Sequence, residues 1–94
     1  VDMSVLPKLA PIIKQTQNTI DAMTKMDTPQ SIASLHLNII NSLERLVENI
    51  IDIKLFDTDI IVSMGAISQY GKNTTALSSD IKNLQNAIRE KLNN

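Results

Sequence analysis

The amino-acid sequence lacks cysteine and tryptophan, and it contains only two glycines, one tyrosine and one phenylalanine. The absence of cysteine excludes disulfides, thiolate nucleophiles and the usual structural zinc sites. So few glycines and aromatic residues are untypical of a β-rich fold. No apolar run approaches the roughly 18–20 residues that a membrane-spanning helix needs, and no signal peptide is visible. These absences favour an all-α protein with no transmembrane segment in this chain.

The charge of the chain is almost balanced. The chain has 9 Lys and Arg residues and 10 Asp and Glu residues, which gives a net charge of -1 and a pI near 5.7. The basic residues are spread singly, so we expect no nucleic-acid partner and no basic patch for anionic lipid. A length of 94 residues leaves room for a single domain, residues 1–94, which self-association would help to stabilise. Because the chain begins at Val1, we expect a processed product or a fragment with any targeting segment upstream.

Two clusters of helix-capping residues divide the chain. In Met26-Asp27-Thr28-Pro29 a capping side chain precedes a proline at the first helical position. Phe56-Asp57-Thr58-Asp59 puts carboxylates where the dipole of a new helix favours them. Both connections are short, so successive helices are predicted to run antiparallel. The sequence therefore predicts an antiparallel three-helix up-down-up bundle, with helices at about 4–26, 29–56 and 58–92.

Apolar residues of the first two segments recur at alternating spacings of three and four, as on one face of an α-helix. In the first segment Pro7 and Pro11 leave two starts open, one at Ser4 with a slight kink and one near Pro11. The second segment has a broader stripe, which predicts a central helix packed against two neighbours. Its main series is Ile32, Leu35, Ile39, Leu43, Leu46, Ile50 and Ile53, with Ile40, Val47 and Ile51 beside it.

The third segment carries the longest apolar series, and its phase continues through a glycine. We interpret it as one long helix in which Gly71 lies on the packed face and allows close approach of a neighbour. In the alternative interpretation Gly71-Lys72-Asn73 caps the helix, and the domain has four helices. The series is Ile60, Met64, Ile67, Gly71, Thr74, Leu77, Ile81, Leu84, Ile88 and Leu92.

Candidate groups for catalysis or metal binding are few. His36 is the only histidine, and a phosphoacceptor role would require a Lys and a Gly where Ile39 and Ile40 stand. We therefore expect His36 to be a packing residue whose ring nitrogens form local hydrogen bonds. The aspartates of the connections are expected to cap helices, because a calcium site needs six or more oxygen ligands in one tight loop. The sequence predicts a protein that is not an enzyme, with no cofactor and no metal site.

The central half of the chain resembles a known group of proteins. The residues concerned are Pro29-Gln30-Ser31-Ile32-Ala33-Ser34-Leu35-His36-Leu37 through Asn41, then Asp57-Thr58-Asp59, and finally Tyr70. This pattern is similar to that of uncharacterised small helical proteins, secreted or lipoprotein-like, of the candidate-phyla (Patescibacteria) bacteria. The resemblance implies an extracytoplasmic or cell-envelope location and an upstream export signal or lipid anchor, and it implies no activity. It would bring His36, Asn41 and Tyr70 into a buried polar contact with a structural role.

These observations predict a non-enzymatic interaction or structural module in the cell envelope. Because the first helix is shorter than the third, the end of the third helix should remain uncovered and form an interface with a protein partner or a second copy. The predicted interface residues are Ile81, Leu84, Ile88 and Leu92. Two alternatives stay open: a carrier of a small apolar ligand or lipid held between the helices, and an intracellular adaptor.

Overall fold

The computed structural model describes residues 3–93, which form three α-helices joined by short connections and contain no strand. The helices are α1 (Leu9–Thr24), α2 (Ala33–Ile53) and α3 (Ile60–Asn93). A 3₁₀ helix at Met3–Lys8 precedes α1, and a shorter one at Gln30–Ile32 leads into α2. The predicted three-helix bundle with a long third helix is confirmed.

The two predicted capping clusters have different outcomes. Asp59 caps α3, because its Oδ1 accepts a hydrogen bond from the backbone N–H of Val62 at 3.1 Å. The prediction for the first cluster was wrong, since no side chain caps either the 3₁₀ turn or α2. Pro29 has an extended backbone with ψ of 138° and precedes the 3₁₀ turn instead of opening the helix. The hydroxyl of Thr28 donates backwards to the carbonyl of Met26.

The start of α1 combines features of both predicted starts. Pro7 lies inside the 3₁₀ helix, and the α-helix itself begins at Leu9. Pro11 then falls in the first turn of α1, where its missing N–H would have had no partner within the helix. The two prolines therefore allow a continuous helical segment from Met3 to Thr24 without a broken ladder.

The central position predicted for α2 is confirmed. Its packing with α1 forms the apolar core, and a different face of α2 packs along α3. In the part of the chain that the structure describes, α1 and α3 make almost no contact with each other. α2 therefore lies between α1 and α3, which pack on two different faces of it. The core comprises Ile13, Ile20, Ile40, Val47 and Ile50, with Leu9, Met23 and Leu43 packed against it.

The molecule is elongated along α3. Its radius of gyration is 15.7 Å and its extents are 53 × 23 × 17 Å. A compact chain of this length would have a radius of gyration of about 12 Å. The long dimension matches the length of roughly 50 Å expected for an α-helix as long as α3. Much of the surface of α3 therefore lies outside the contact with α2.

The prediction that α3 continues through Gly71 is confirmed, but the role given to that glycine was wrong. A Cβ atom added at Gly71 would meet nothing within 4 Å, so no neighbour approaches closely there. The hydroxyls of the neighbouring threonines find their partners within the helix. Thr74 donates to the carbonyls of Tyr70 and Gly71, and Thr75 donates to that of Gly71.

Replacing either glycine of α3 with alanine is expected to stabilise the fold. Gly65 and Gly71 both lie inside the helix with open space at the Cβ position. Each Gly→Ala change should raise the free energy of unfolding by about 0.5–1 kcal/mol, since alanine loses less backbone entropy in a helix. Thermal unfolding followed by circular dichroism measures the effect. A loss of stability in Gly71→Ala, with a gain in Gly65→Ala, would contradict the open space at Gly71.

Candidate functional site

The contact between α2 and α3 has a polar edge. Ser42 donates to Asp80 Oδ2 at 2.7 Å and accepts from Arg45 Nη2 at 3.1 Å. Two helical turns further along α2, Asn73 Nδ2 donates to Asn49 Oδ1 at 2.6 Å. Ser42 is fully buried and Asn73 nearly so. We call this side of the contact the hydrogen-bonded edge.

Two further hydrogen bonds extend the contact to both ends of α3. The fully buried Ser63 donates to the backbone carbonyl of Asp52 at 2.9 Å. At the other end the ammonium group of Lys91 donates to the hydroxyl of Ser31. Each of these hydrogen bonds joins a residue of α3 to a residue at one particular height along α2 or the turn before it. Together they therefore specify how far α3 is shifted along α2.

The face of α3 that packs on α2 is mostly small or polar. We call it the inner stripe. The sequence-based prediction placed the large apolar series against the bundle, and this was wrong, because small residues allow closer approach to α2 and the polar ones find partners there. Only Leu77 and Leu84 of the predicted series belong to the packed face. The inner stripe is Ser63, Ala66, Asn73, Leu77, Asp80, Leu84, Ala87 and Lys91.

The large apolar residues of α3 form a second stripe, roughly a quarter turn around the helix from the first. We call it the outer stripe. Its spacing of four and three is the heptad pattern by which helices pack against one another. All six of its large apolar residues are exposed, from 39% for Ile67 to 81% for Leu92. The outer stripe is Ile60, Met64, Ile67, Gly71, Thr74, Ser78, Ile81, Gln85, Ile88 and Leu92.

The outer stripe lies on the same side of α2 as α1. Going around the axis of α3 in one rotational sense, the hydrogen-bonded Asn73 and Asp80 come first, then Leu77, and then the outer stripe. Going around the axis of α2 in the same sense, Ser42 and Asn49 come first, and the core residues that contact α1 follow. Since α2 and α3 are antiparallel, both directions point to one side of their contact. The outer stripe therefore borders the space between α3 and α1.

The adjoining face of α1 carries two exposed apolar side chains, with the polar Thr19 between them. A groove on the far side of α1 is lined by Gln17 and Asp21 together with Glu44 and Glu48 of α2. The opposite face of α1 carries Ile12, which is 46% exposed, and Met26 follows in the same phase beyond the helix end. We call the space bounded by this face and the outer stripe the open corner. It occupies the position of the fourth helix of a four-helix bundle.

The predicted interface lies at one end of the open corner. Ile81, Ile88 and Leu92 are exposed, whereas Leu84 is half-buried because it lies on the inner stripe. Sequence reasoning missed the other end of the outer stripe, where Ile60, Met64 and Ile67 are equally exposed. The heptad spacing was visible in the sequence, but it was assigned to the packed face.

The structure does not bring His36, Asn41 and Tyr70 together. Asn41 is exposed on α2, and no hydrogen bond joins it to His36 or Tyr70 within residues 3–93. The pairs between α2 and α3 place Tyr70 level with the end of α2, about 24 Å along the helix from His36. The predicted three-residue contact is therefore corrected, since the shift between the two antiparallel helices separates its members.

His36 differs in another way from its prediction. Its Nε2 atom is buried and has no hydrogen-bond partner in the described part of the chain, although local bonding of the ring was expected. The residue lies in the first turn of α2 and is only partly buried as a whole. Packing therefore covers a polar atom that has no hydrogen-bond partner among the described residues.

Replacing His36 with leucine is expected to raise the free energy of unfolding by about 1 kcal/mol, because the buried ring nitrogen loses water without gaining a partner. His36→Gln is the matched control, since it keeps a polar group near the same position and should give no gain. Urea unfolding at pH 8 measures both. Destabilisation by leucine with full stability of the glutamine variant would show that the ring position needs a polar group.

No metal centre or membrane span is found in the described residues. No group of three or more His, Asp or Glu side chains there is placed to hold a metal ion. None of the described helices combines the length and the apolar character needed to span a membrane. The surface grooves, of about 360 Å³ at Glu44 and about 400 Å³ at Ile88, are open to solvent.

Comparison of the chain with protein-family models, with curated proteins and with solved structures found no match. What the chain does must therefore be inferred from its own surface, and the open corner is the feature of that surface that departs most from an ordinary helical bundle.

Proposed function

We propose that this chain is a non-enzymatic interaction module that binds a protein partner in the open corner. The observation that carries the proposal is the reversed character of α3, whose packed face is small and polar and whose exposed face is apolar. Exposed apolar residues in a heptad-spaced stripe are typical of an interface, whereas singly scattered ones are not. The large apolar residues of the outer stripe form two groups, one at each end of α3, with Gly71, Thr74 and Ser78 between them. The outer stripe continues for almost the whole of α3.

The geometry favours a protein partner over a small apolar ligand. Pockets for apolar ligands enclose most of the ligand surface. The groove between α1 and α2 is open and has Gln17, Asp21, Glu44 and Glu48 around Ile20, Val47 and Ile51. The open corner is a long channel without walls at its ends, which suits a helix better than a compact ligand.

Position-specific photo-crosslinking in the native cells tests the proposal. A photoreactive amino acid at Ser78 or Ile88 faces the open corner and should yield a crosslink to a discrete protein. The same amino acid at Gln69 or Asn83, exposed on another face of α3, is the matched control and should not. Equal crosslinking at all positions, or none at Ser78 and Ile88, would contradict the proposal.

Mass measurements separate the alternatives. A protein partner in the open corner predicts a purified chain that carries no small molecule in native mass spectrometry. A stoichiometric lipid or metabolite that remains bound would support the carrier function in place of the interaction module.

We further propose that the module acts in the cell envelope, on the basis of the sequence resemblance from Pro29 to Tyr70. Fractionation of the native cells, with the intact mass of the full-length protein read in each fraction, tests this location. Recovery in the envelope with a processed or lipid-modified N-terminus supports it. Recovery of an unprocessed chain in the cytosol would contradict it and favour an intracellular adaptor.

A further inference from the structure

We propose that the partner segment in the open corner is an amphipathic α-helix with acidic residues beside its apolar face. This inference rests on the proposed function and specifies the chemistry of the partner. Its basis is the arrangement of charge around the open corner, which the scattered basic residues of the sequence did not reveal.

Three basic residues flank the open corner. Lys82 and Arg89 follow the outer stripe around α3, and Lys8 precedes Ile12 by four residues, on the face of α1 that borders the open corner. All three are exposed, and none of their side chains has an ion-pair or hydrogen-bond partner among residues 3–93. Although the chain has a net charge of -1, these three cations give the rim a positive charge.

The acidic residues of the helices lie elsewhere. Asp21, Glu44 and Glu48 line the groove on the opposite side of α1 and α2. Asp80 lies at the hydrogen-bonded edge, where it accepts from Ser42. A helix with acidic flanks would thus meet cations along the open corner, and such complementarity selects one partner over another.

The same charges disfavour parallel pairing with a second copy of this chain. The exposed apolar stripe that a second copy could offer is that of its own α3, and Lys82 and Arg89 flank the C-terminal half of this stripe. Parallel pairing of two such stripes would bring cations of one copy beside cations of the other, which is repulsive.

The dimensions fit one helix. The helical segment from Met3 to Thr24 is about as long as a helix of three heptads, roughly 30 Å. A partner helix of that length would therefore contact both this segment and α3. The fourth helix of an up-down bundle runs antiparallel to its two neighbours. Its N-terminus would then lie near Lys82 and Arg89, where acidic residues in its first turns also favour its own dipole.

Two synthetic three-heptad peptides test the proposal. Both carry leucine at the a and d positions; one has glutamate at the flanking positions and the other has lysine. Fluorescence anisotropy with the full chain should show the acidic peptide binding at least about tenfold more tightly. The preference should shrink as salt rises, because the rim charges are exposed. The double variant Lys82→Glu with Arg89→Glu should lose most of the preference.

The two glycines of α3 supply a matched pair of controls. A Cβ atom at either position has open space around it, but only Gly71 lies on the outer stripe. Gly71→Glu should weaken binding of the acidic peptide at least about tenfold, as a charge placed in an apolar contact does. Gly65→Glu should leave binding unchanged. Equal loss in both variants would place the peptide outside the open corner and overturn the proposal.

The remaining outcomes each contradict the proposal in a recognisable way. Equal affinity for both peptides, or none for either, overturns the acidic helix; if Ser78 and Ile88 still crosslink to a protein in cells, the proposed function survives. Sedimentation that shows a dimer of the wild type and a monomer of Gly71→Glu assigns the open corner to a second copy. Preferential binding to phosphatidylserine vesicles, abolished by Gly71→Glu, assigns it to a membrane surface.

Discussion

Replacing Ile50 with alanine is expected to lower the free energy of unfolding by about 2–4 kcal/mol, whereas the same change at Ile88 should alter it by less than about 0.5 kcal/mol. Ile50 is 6% exposed in the core between α1 and α2, and Ile88 is 41% exposed on the outer stripe. A domain of this size has a total stability of about 5–14 kcal/mol. The Ile50 variant should therefore lose a large part of its stability.

Thermal unfolding followed by circular dichroism checks this pair. For a small domain each kcal/mol shifts Tm by about 4–8 °C, so the two variants should be well separated. The Ile88 variant also separates the contribution of α3 to stability from its contribution to partner binding, since it should keep its stability and lose partner binding. A similar loss of stability in both variants would mean that the outer stripe belongs to the folded core and is no docking surface.

The second large effect is expected at the Asn49–Asn73 pair. Asn73→Leu should destabilise the fold by about 1–3 kcal/mol, because the side-chain amide of Asn49 loses its hydrogen-bond partner in a largely buried contact. The double variant Asn49→Leu with Asn73→Leu should regain most of that loss, since both polar groups are then replaced by apolar ones. The coupling is measured by urea unfolding of the two single variants and the double variant.

Asn83→Leu is the matched control for this cycle. Asn83 is exposed on another face of α3, so the same substitution there should change stability by less than about 0.5 kcal/mol. If the double variant is as unstable as Asn73→Leu alone, the pair does not act as a unit, and the position of α3 along α2 depends on other contacts.

The local features of this fold could be predicted from the sequence. The apolar period of α2 indicates both its helix and its two neighbours, and the phase across Gly71 indicates a single third helix. Asp59 could be recognised as a cap because capping depends on residues three apart in the chain. The prediction of capping was wrong at Pro29, because the backbone there is extended and a 3₁₀ turn precedes the helix. The sequence does not determine such small differences at the end of a helix.

The orientation of α3 could not be predicted in the same way. The size of the side chains favours the outer stripe as the packed face, and periodicity alone does not distinguish two stripes a quarter turn apart. The decision depends on partners distant in the sequence, such as Asp80 for Ser42 and Asn73 for Asn49. The same reason explains the failed contact between His36 and Tyr70, whose distance depends on the shift between two helices.

The near-absence of contact between α1 and α3 has a consequence for how the chain unfolds. Among the described residues, the apolar cluster between α1 and α2 contains no residue of α3, whose one buried apolar residue is Ala66, and no residue of the hydrogen-bonded edge belongs to α1. Separation of α3 from α2 would therefore leave the α1–α2 hairpin with the contacts of this cluster, and α2 is the one helix that the two halves of the fold share. A helix bound in the open corner would contact α1 and α3 at once, and on our proposal the partner would therefore couple two units that the isolated chain leaves independent.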